Sequence, residues 1–562
     1  MNRRFPSLPF GLAARAENGA GWLLLAVLIA LAVLAPVASL AWAAAGGSLA
    51  HWSHLAAFVL PQALANTALL LIGVGVLVTL LGTGAAWLVT AYDFPTRRML
   101  SWALLLPLAV PTYIVAFAYL DLLHPIGPVQ TAIRALLGYD SPRAFRLPDL
   151  RSLGGAVLVL GFVLYPYVYL STRAMFMTQA ASLLEAARTL GAGRLEVFRR
   201  VALPLARPAI AVGVSLALLE TLNDIGASEF LGVQTLTVSV YTTWVTRSDL
   251  AGAAQIALTM LVFVLALILL ERHGRRRQRY ANTQRMRPMQ PQRLRGAAGV
   301  GAAALGWLPV LAGFVAPAGY LVVETAKRLH RVGGVSDALI AGAFNTVGIA
   351  AAATLLTLAA GLAVAWAGRT LRESARRHPG RACARIASLG YALPGTVLAI
   401  GLLGPLALVD DALNTVLSAV AGIAPGLILM GSSLALVLAY TIRFLAVSAG
   451  AIEAGLARVP ASLEQASRLL GESAGGTLRR VHLPLLKPAL AAAALLVFVD
   501  AMKELPATLL LRPMNFDTLA TWLYAEAARG TYEEGAVAAL AIVATGLLPV
   551  ILLARTQPKT GH

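Results

Sequence analysis

The same polar segment occurs twice in this chain, 280 residues apart. Residues 181–209 read ASLLEAARTLGAGRLEVFRRVALPLARPA, and residues 461–489 read ASLEQASRLLGESAGGTLRRVHLPLLKPA. Aligned without a gap, 15 of the 29 positions are identical. They include Gly191 and Gly471, Arg199-Arg200 and Arg479-Arg480, Leu203-Pro204 and Leu483-Pro484, and Pro208 and Pro488. Apolar helices resemble one another through composition alone. A polar segment with matched Gly, Arg and Pro positions does not, so the chain is a duplication and its fold must be built twice.

What surrounds the two segments is apolar. Hydrophobic residues make up 58% of the 562 and charged residues 13%, and the mean hydropathy is +0.75. Such a chain belongs in a membrane. Its net charge is +19, with only four lysines, and its arginines cluster. Clustering of this kind fits cytoplasmic loops and argues against a nucleic-acid partner. The single Cys383 excludes an intrachain disulfide. Near the N-terminus, Arg3, Arg4 and Arg15 precede an apolar run from Trp22 to Ala45. As a helix that run is about 36 Å long. It is too long for a signal-peptide core and long enough to span, so it reads as an uncleaved first helix.

Twelve spans can be drawn, giving an all-α, polytopic integral membrane protein. They fall near 22–45, 63–90, 100–123, 153–174, 205–230 and 252–270, then 297–323, 340–367, 384–408, 426–448, 485–509 and 535–554. The halves are 1–270 and 297–562, joined by a linker, 271–296, with nine arginines. The N-terminus, Arg97-Arg98, both repeated segments, the linker, Arg369 to Arg385 and Arg555 fall on one side of the membrane. The positive-inside rule makes that side the cytoplasm, with both termini there, in a bacterial inner membrane. Two outer loops disagree: Arg134 to Arg151, and the cluster Lys327, Arg328 and Arg331. Further repeat marks are Asn66-Thr67 with Asn345-Thr346, and Pro111, which interrupts the third span, with Pro394, which interrupts the ninth. Six helices per half give both copies one orientation, with the symmetry axis along the membrane normal.

The first polar segment has helix-forming composition up to Leu190, and Leu183, Leu184, Ala187 and Leu190 can share a face. Gly191 suits a helix terminus. A second short helix can follow through Phe198 and Val201, stopped by Leu203-Pro204. Two short helices joined at a glycine suit insertion into a groove on a partner. An amphipathic loop lying on the membrane surface is the plain alternative.

This pattern resembles the EAA loop of ABC-transporter permeases. Glu185, Ala186, Ala187, Gly191, Leu203 and Pro204 match its signature. In the second copy Ala466, Gly471, Leu483 and Pro484 match, but Gln465 replaces Glu185, Ser467 replaces Ala187, and Glu464 sits one position earlier. The resemblance covers nearly the whole chain, as two tandem six-helix permease units of the type I importer class. It implies that both loops, with Arg199, Arg200, Arg479 and Arg480, seat on an ATP-binding subunit, with the first loop contributing more. It also implies a periplasmic solute-binding protein as partner. A P-loop needs Gly-Lys before Ser or Thr. None of Lys327, Lys487, Lys503 and Lys559 follows a glycine. No cofactor is therefore expected in this chain. ATP and Mg would sit on partner subunits, and two loops imply two copies.

Glu220 and Asp224 lie in the fifth span, and Asp500 and Glu504 lie 280 residues later in the eleventh. The i,i+4 spacing predicts that each pair shares a helix face. Glu220 would lie about 24 Å along its helix from the Leu-Pro, where an acidic group is costly and faces protein or water. Oxygen ligands or a gate for a cation is one reading. The other is structural, with Asp500 paired to Lys503. Tyr165, Tyr167 and Tyr169 read as packing or interface anchors. His51 and His54 read as a surface pair, so no metal site is assigned. No catalytic arrangement stands out, and an enzyme is not expected.

The stretches DAMKELPATLLLRPMNFDTL, from Asp500, and ETLNDIGASEFLGVQTLTVSVYTTW, from Glu220, resemble ferric-iron importer permeases. Thiamine permeases share the fused layout. A proton-coupled secondary transporter could use the same carboxylates without an ATPase. Acidic pairs are compatible with ferric iron and with cationic thiamine alike, and the resemblance around Lys503-Glu504-Leu505-Pro506 favours iron.

Overall fold

The structure is a computed structural model that describes residues 13–47, 49–178, 187, 189–275, 291–370 and 377–556. Among the described residues, eleven helices are long and apolar enough to cross a membrane, and one further span is a bent pair. We number the twelve in chain order: α1 Gly21–Ala45, α2 Trp52–Ala91, α3 Arg97–Ala109 with Thr112–Leu122, α4 Leu153–Met177, α5 Leu195–Asn223 and α6 Leu250–His273. The second set is α7 Ala297–Val332, α8 Asp337–Arg369, α9 Gly395–Ala421, α10 Ser433–Ala457, α11 Ala474–Met502 and α12 Tyr532–Leu552. The expected all-α, twice-built fold is present. A two-residue parallel pairing, Tyr92–Asp93 with Gln292–Arg293, adds only a stitch.

Several expected boundaries move, each for a local reason. The interruption expected at Pro111 is present: the third span bends by 92°, and Pro111 starts a new helix. The tenth begins at Ser433 instead of 426, because Gly426 and Gly431 take positive φ of 79° and 74°. The fifth ends at Asn223 and the eleventh at Met502, short of the expected 230 and 509. In each case a carboxylate takes over the backbone N–H groups that continuation would have used, as described below.

Packing sorts the helices into two compact units that cut across the sequence halves. One contains α1, α8 from Phe344 onward, and α9 to α11; the other contains α2 to α7 and α12. Each half thus lends its first helix to the core of the other. Small residues make the close approaches possible. In the first unit Gly401 lies against the Pro36 backbone of α1, where an added Cβ would stand 2.4 Å from the carbonyl oxygen. In the second unit Gly313 of α7 lies against the Phe162 carbonyl of α4, at 2.2 Å by the same measure. Tyr119 donates to the Ala312 carbonyl at 2.6 Å. α12 joins this unit through Gly546, pressed on Ala109, and Tyr532, whose ring lies 5.1 Å from that of Phe117.

The cluster Lys327, Arg328 and Arg331, which opposes the orientation rule, is charge-compensated. Lys327 pairs with Glu324 at 2.7 Å, Arg328 with Glu534 at 2.7 Å, and Arg331 with Glu533 at 2.6 Å. These arginines tie the end of α7 to the start of α12.

Candidate coupling loops and substrate path

The two repeated loops have the same local build over their described residues. Gly191 has φ +89° and Gly471 φ +87°. Each sits in a turn with a six-to-one bond: Ala192 N–H to the Ala187 carbonyl at 3.0 Å, and Glu472 N–H to the Ser467 carbonyl at 3.1 Å, the latter closing the helix Ala461–Leu469. No side chain crowds either glycine, so the left-handed backbone alone demands it. Glu185 and Ala186 lie outside the described residues.

The second short helix differs from the sequence expectation. Leu203-Pro204 does not stop it. A π-turn, Phe198–Ala202, carries it into α5, with the Leu203 N–H bonding the Phe198 carbonyl. Leu478–His482 repeats this ahead of Pro484. A proline has no N–H to give, and the wider i→i−5 register before it keeps the helix intact. The second short helix is therefore one rod with the transmembrane helix: 29 residues in each copy, or about 43 Å.

At the loop tips, Leu190 is 87% exposed and Leu470 85%. Arg199, Arg200, Arg479 and Arg480 are exposed, as are Gln465 and Ala466. Glu464 is not. It is buried and accepts from Arg369 at 3.1 Å and Arg468 at 2.8 Å. Arg369 also donates to the Leu456 and Val459 carbonyls. Glu464 thus fastens the loop to its own unit, and Gln465 occupies the outward position.

Two tryptophans anchor the loop bases and escaped sequence reading. Trp87 lies 5.2 Å from Phe198 of the first π-turn and 5.3 Å from Phe176. Trp366 lies 4.8 Å from the buried His482 of the second π-turn. Aligning Asn66-Thr67 on Asn345-Thr346 places Trp87 on Trp366, so the signal was there. The Asn-Thr mark itself is a staple in the first copy. Asn66 donates to the Gln234 carbonyl at 3.1 Å, and Thr67 accepts from Leu236 N–H at 2.9 Å.

The carboxylate pairs do not share a helix face, because each helix ends between the two members. Asp224 has φ −70° and ψ 123°, just past α5. Its carboxylate accepts from Thr112 at 2.6 Å, from Ser228 N–H at 2.8 Å and Oγ at 3.1 Å, and from Ala227 N–H at 3.4 Å. It caps the short helix Gly226–Phe230. Glu504 does the same for Pro506–Leu511. It accepts from Ala507 N–H at 3.1 Å, from Thr508 N–H at 3.2 Å and Oγ1 at 3.1 Å, and from Arg443 at 3.0 Å. Both are buried and surrounded by donors. Glu220 and Asp500 are half-buried, and Asp500 pairs with Lys503 at 2.8 Å.

The repeat extends to one further pair. Gln130 accepts from Leu147 N–H at 3.0 Å, and Asp410 accepts from Ile428, Leu429 and Met430 N–H at 3.1, 2.7 and 2.9 Å. The two stand 280 residues apart and fasten equivalent loops. Among the described residues no three His, Cys, Asp or Glu side chains gather as a metal cage.

The family described as binding-protein-dependent transport system inner membrane component matches residues 78–280 and again 358–559. The chain belongs to this family. It is a fused permease with two family domains, a multi-pass integral membrane protein that works with ATP-binding and periplasmic binding partners.

Among named relatives, the Fe(3+)-transport system permease protein of Haemophilus influenzae is 24% identical over 503 residues, covering 88% of this chain and 89% of that protein. A protein of Salmonella paratyphi A named for 2-aminoethylphosphonate transport is 32% identical over 196 residues, 34% of this chain and 67% of that one. The molybdenum transport system permease protein of Escherichia coli K12 is 33% identical over 191 residues, 33% of this chain and 80% of that one.

Proposed function

We infer that this permease carries ferric iron, handed over by a periplasmic binding protein, into the cytoplasm. The observation that carries the reading is the likeness to the Fe(3+) permease, which runs through both family domains. The stretches from Glu220 and Asp500 that resemble iron permeases lie at the two helix breaks. ATP, with Mg, is hydrolysed on separate subunits, two copies of which seat on the two loops. Both termini and both loops face the cytoplasm. The pairing of Lys327, Arg328 and Arg331 with acidic groups supports that orientation.

The proposed coupling surface comprises Glu185, Ala186, Ala187, Gly191, Arg199, Arg200, Leu203 and Pro204 in the first loop. In the second it comprises Gln465, Ala466, Gly471, Arg479, Arg480, Leu483 and Pro484, with Glu464 holding that loop from within. Binding energy released when the ATP-binding subunits close moves each tip. The unbroken rod delivers that motion to the break at Asp224 or Glu504. At those breaks the carboxylates hold two helix ends together, so a displaced rod shifts the segment beyond it. Glu220 and Asp500, one turn before the breaks, are the proposed path-lining members of the four carboxylates.

Reconstitution tests this reading. Proteoliposomes with the permease, its ATP-binding subunit and the ferric-loaded binding protein should accumulate labelled iron only with hydrolysable ATP. Iron uptake that continues without hydrolysis, or uptake of an oxyanion in its place, sinks it.

A further inference from the structure

The carboxylates at positions 224 and 504 are repeated, buried and internally satisfied. One carboxylate beside them is neither repeated nor enclosed. The short helices after the two breaks align residue for residue: Gly226 with Pro506, Ala227 with Ala507, and Ser228 with Thr508. The next position holds Glu229 in the first copy and Leu509 in the second. Scaffolding accounts for what the copies share, so the departure calls for a different explanation.

Glu229 is half-buried. Its described partner is a phenol: Tyr524, on the helix Leu519–Arg529, donates its hydroxyl to Oε2. The Tyr524 ring stacks on Phe230 at 5.6 Å and 26°, and Tyr241 meets it edge-on at 6.4 Å. The result is a carboxylate and a phenol oxygen held in contact beside aromatic rings, with neither side chain fully buried. Tyr524 and Tyr241 are themselves half-buried. All four residues belong to the unit containing α2 to α7 and α12.

We propose that Glu229 and Tyr524 form a contact site for the transported ferric ion. Carboxylate and phenolate oxygens are hard ligands that suit a hard trivalent cation. The hydrogen bond between them fixes their spacing. When the cation enters, it replaces the shared proton, which leaves to water, and lies between two anionic oxygens. Phe230 and the ring of Tyr241 limit the hydration around it, and Glu229 is the single carboxylate of this group. The ion therefore stays weakly enough held to move on. The site rests on the ferric reading, since the same carboxylate would repel an oxyanion.

Glu229→Gln separates a ligand from a structural hydrogen bond, because the amide oxygen still accepts from Tyr524. In the complete reconstituted system, E229Q and Y524F should lower ferric uptake about tenfold or more, the scale of losing one ligand-directed interaction. They should also lower uptake of redox-inert Ga(III) by a similar factor. E229Q uptake within about twofold of wild type would overturn the site while leaving iron transport in place. Wild-type vesicles that take up molybdate and no ferric iron would overturn the ferric reading and this site together.

Discussion

Asp224 and Glu504 do one job with different counter-partners. In the second copy Arg443 approaches Glu504, and the helix of α9 starts with Gly395; a Cβ there would stand 2.3 Å from Arg443 Nη1 and 2.7 Å from Glu504 Oε1. In the first copy Thr112 follows Pro111 and donates to Asp224 itself, while the position 280 before Arg443 is Val163. One copy uses a neutral hydroxyl, the other a charge with a glycine that makes room for it. The costs of removal differ accordingly. Arg443→Leu leaves a buried carboxylate without its cation and should cost about 3–5 kcal/mol. Asp224→Asn turns one acceptor into a donor facing N–H groups and should cost about 1–3 kcal/mol. Thermal unfolding in detergent would rank them. Adding Glu504→Gln to Arg443→Leu should recover part of the loss. A double variant no more stable than the sum of the singles would refute the pairing.

At the scale of the element, the second short helix and the transmembrane helix form a single lever, and the turn that leads into it is apolar at its tip. Leu190 and Leu470 stand at the tips almost fully exposed, with Leu469 beside the latter at 88%. Burying one leucine on a partner is worth about 1.5–3 kcal/mol. Leu190→Asp and Leu470→Asp should each weaken capture of the ATP-binding subunit by about tenfold or more, by that same energy. Neither should change the unfolding temperature, since no packing is lost. Unaltered co-purification of both variants with the ATP-binding subunit would remove the tips from the docking surface. The loop's glycine joint, its repeat and the twelve spans were legible in the sequence, because each is a local pattern. The helix breaks were not. The residues around Asp224 and Glu504 keep helical composition, and what ends the helix is a set of donors gathered by tertiary contact, one from Thr112 and one from Arg443. The outward position of Gln465 was equally hidden, because the inward turn of Glu464 depends on Arg369, 95 residues away. Glu229 gave no signal of its own, since Tyr524 is 295 residues distant.

At the scale of the whole molecule, duplication in sequence does not mean two self-contained halves. Hydrophobic periodicity tells which stretch is a helix but not which neighbour it packs against, so the exchange of α1 and α7 could not be read from it. The close contacts make the exchange specific. Pro36 and Ser39 of α1 meet Gly401 and Gly404 of α9, and α1 also packs through Ala26 and Ala30 on Ala367 and Cys383. Gly306 and Gly313 of α7 meet Leu100, Leu88 and Phe162. A cut in the linker 271–296 therefore separates every first helix from its packing partners while leaving the covalent halves whole. Residues 1–270 alone should accumulate poorly, with α1 lacking α8 and α9, and with the α2–α4 core lacking α7 and α12. Residues 297–562 alone should fare no better. Produced together, the two pieces should regain each other's first helices, co-purify through a tag on either, and restore transport in vesicles. The steady-state level of each piece, alone and together, is the measurement. A first half that accumulates alone and unfolds cooperatively at the temperature of the full chain would show that the exchanged helices contribute nothing to its stability.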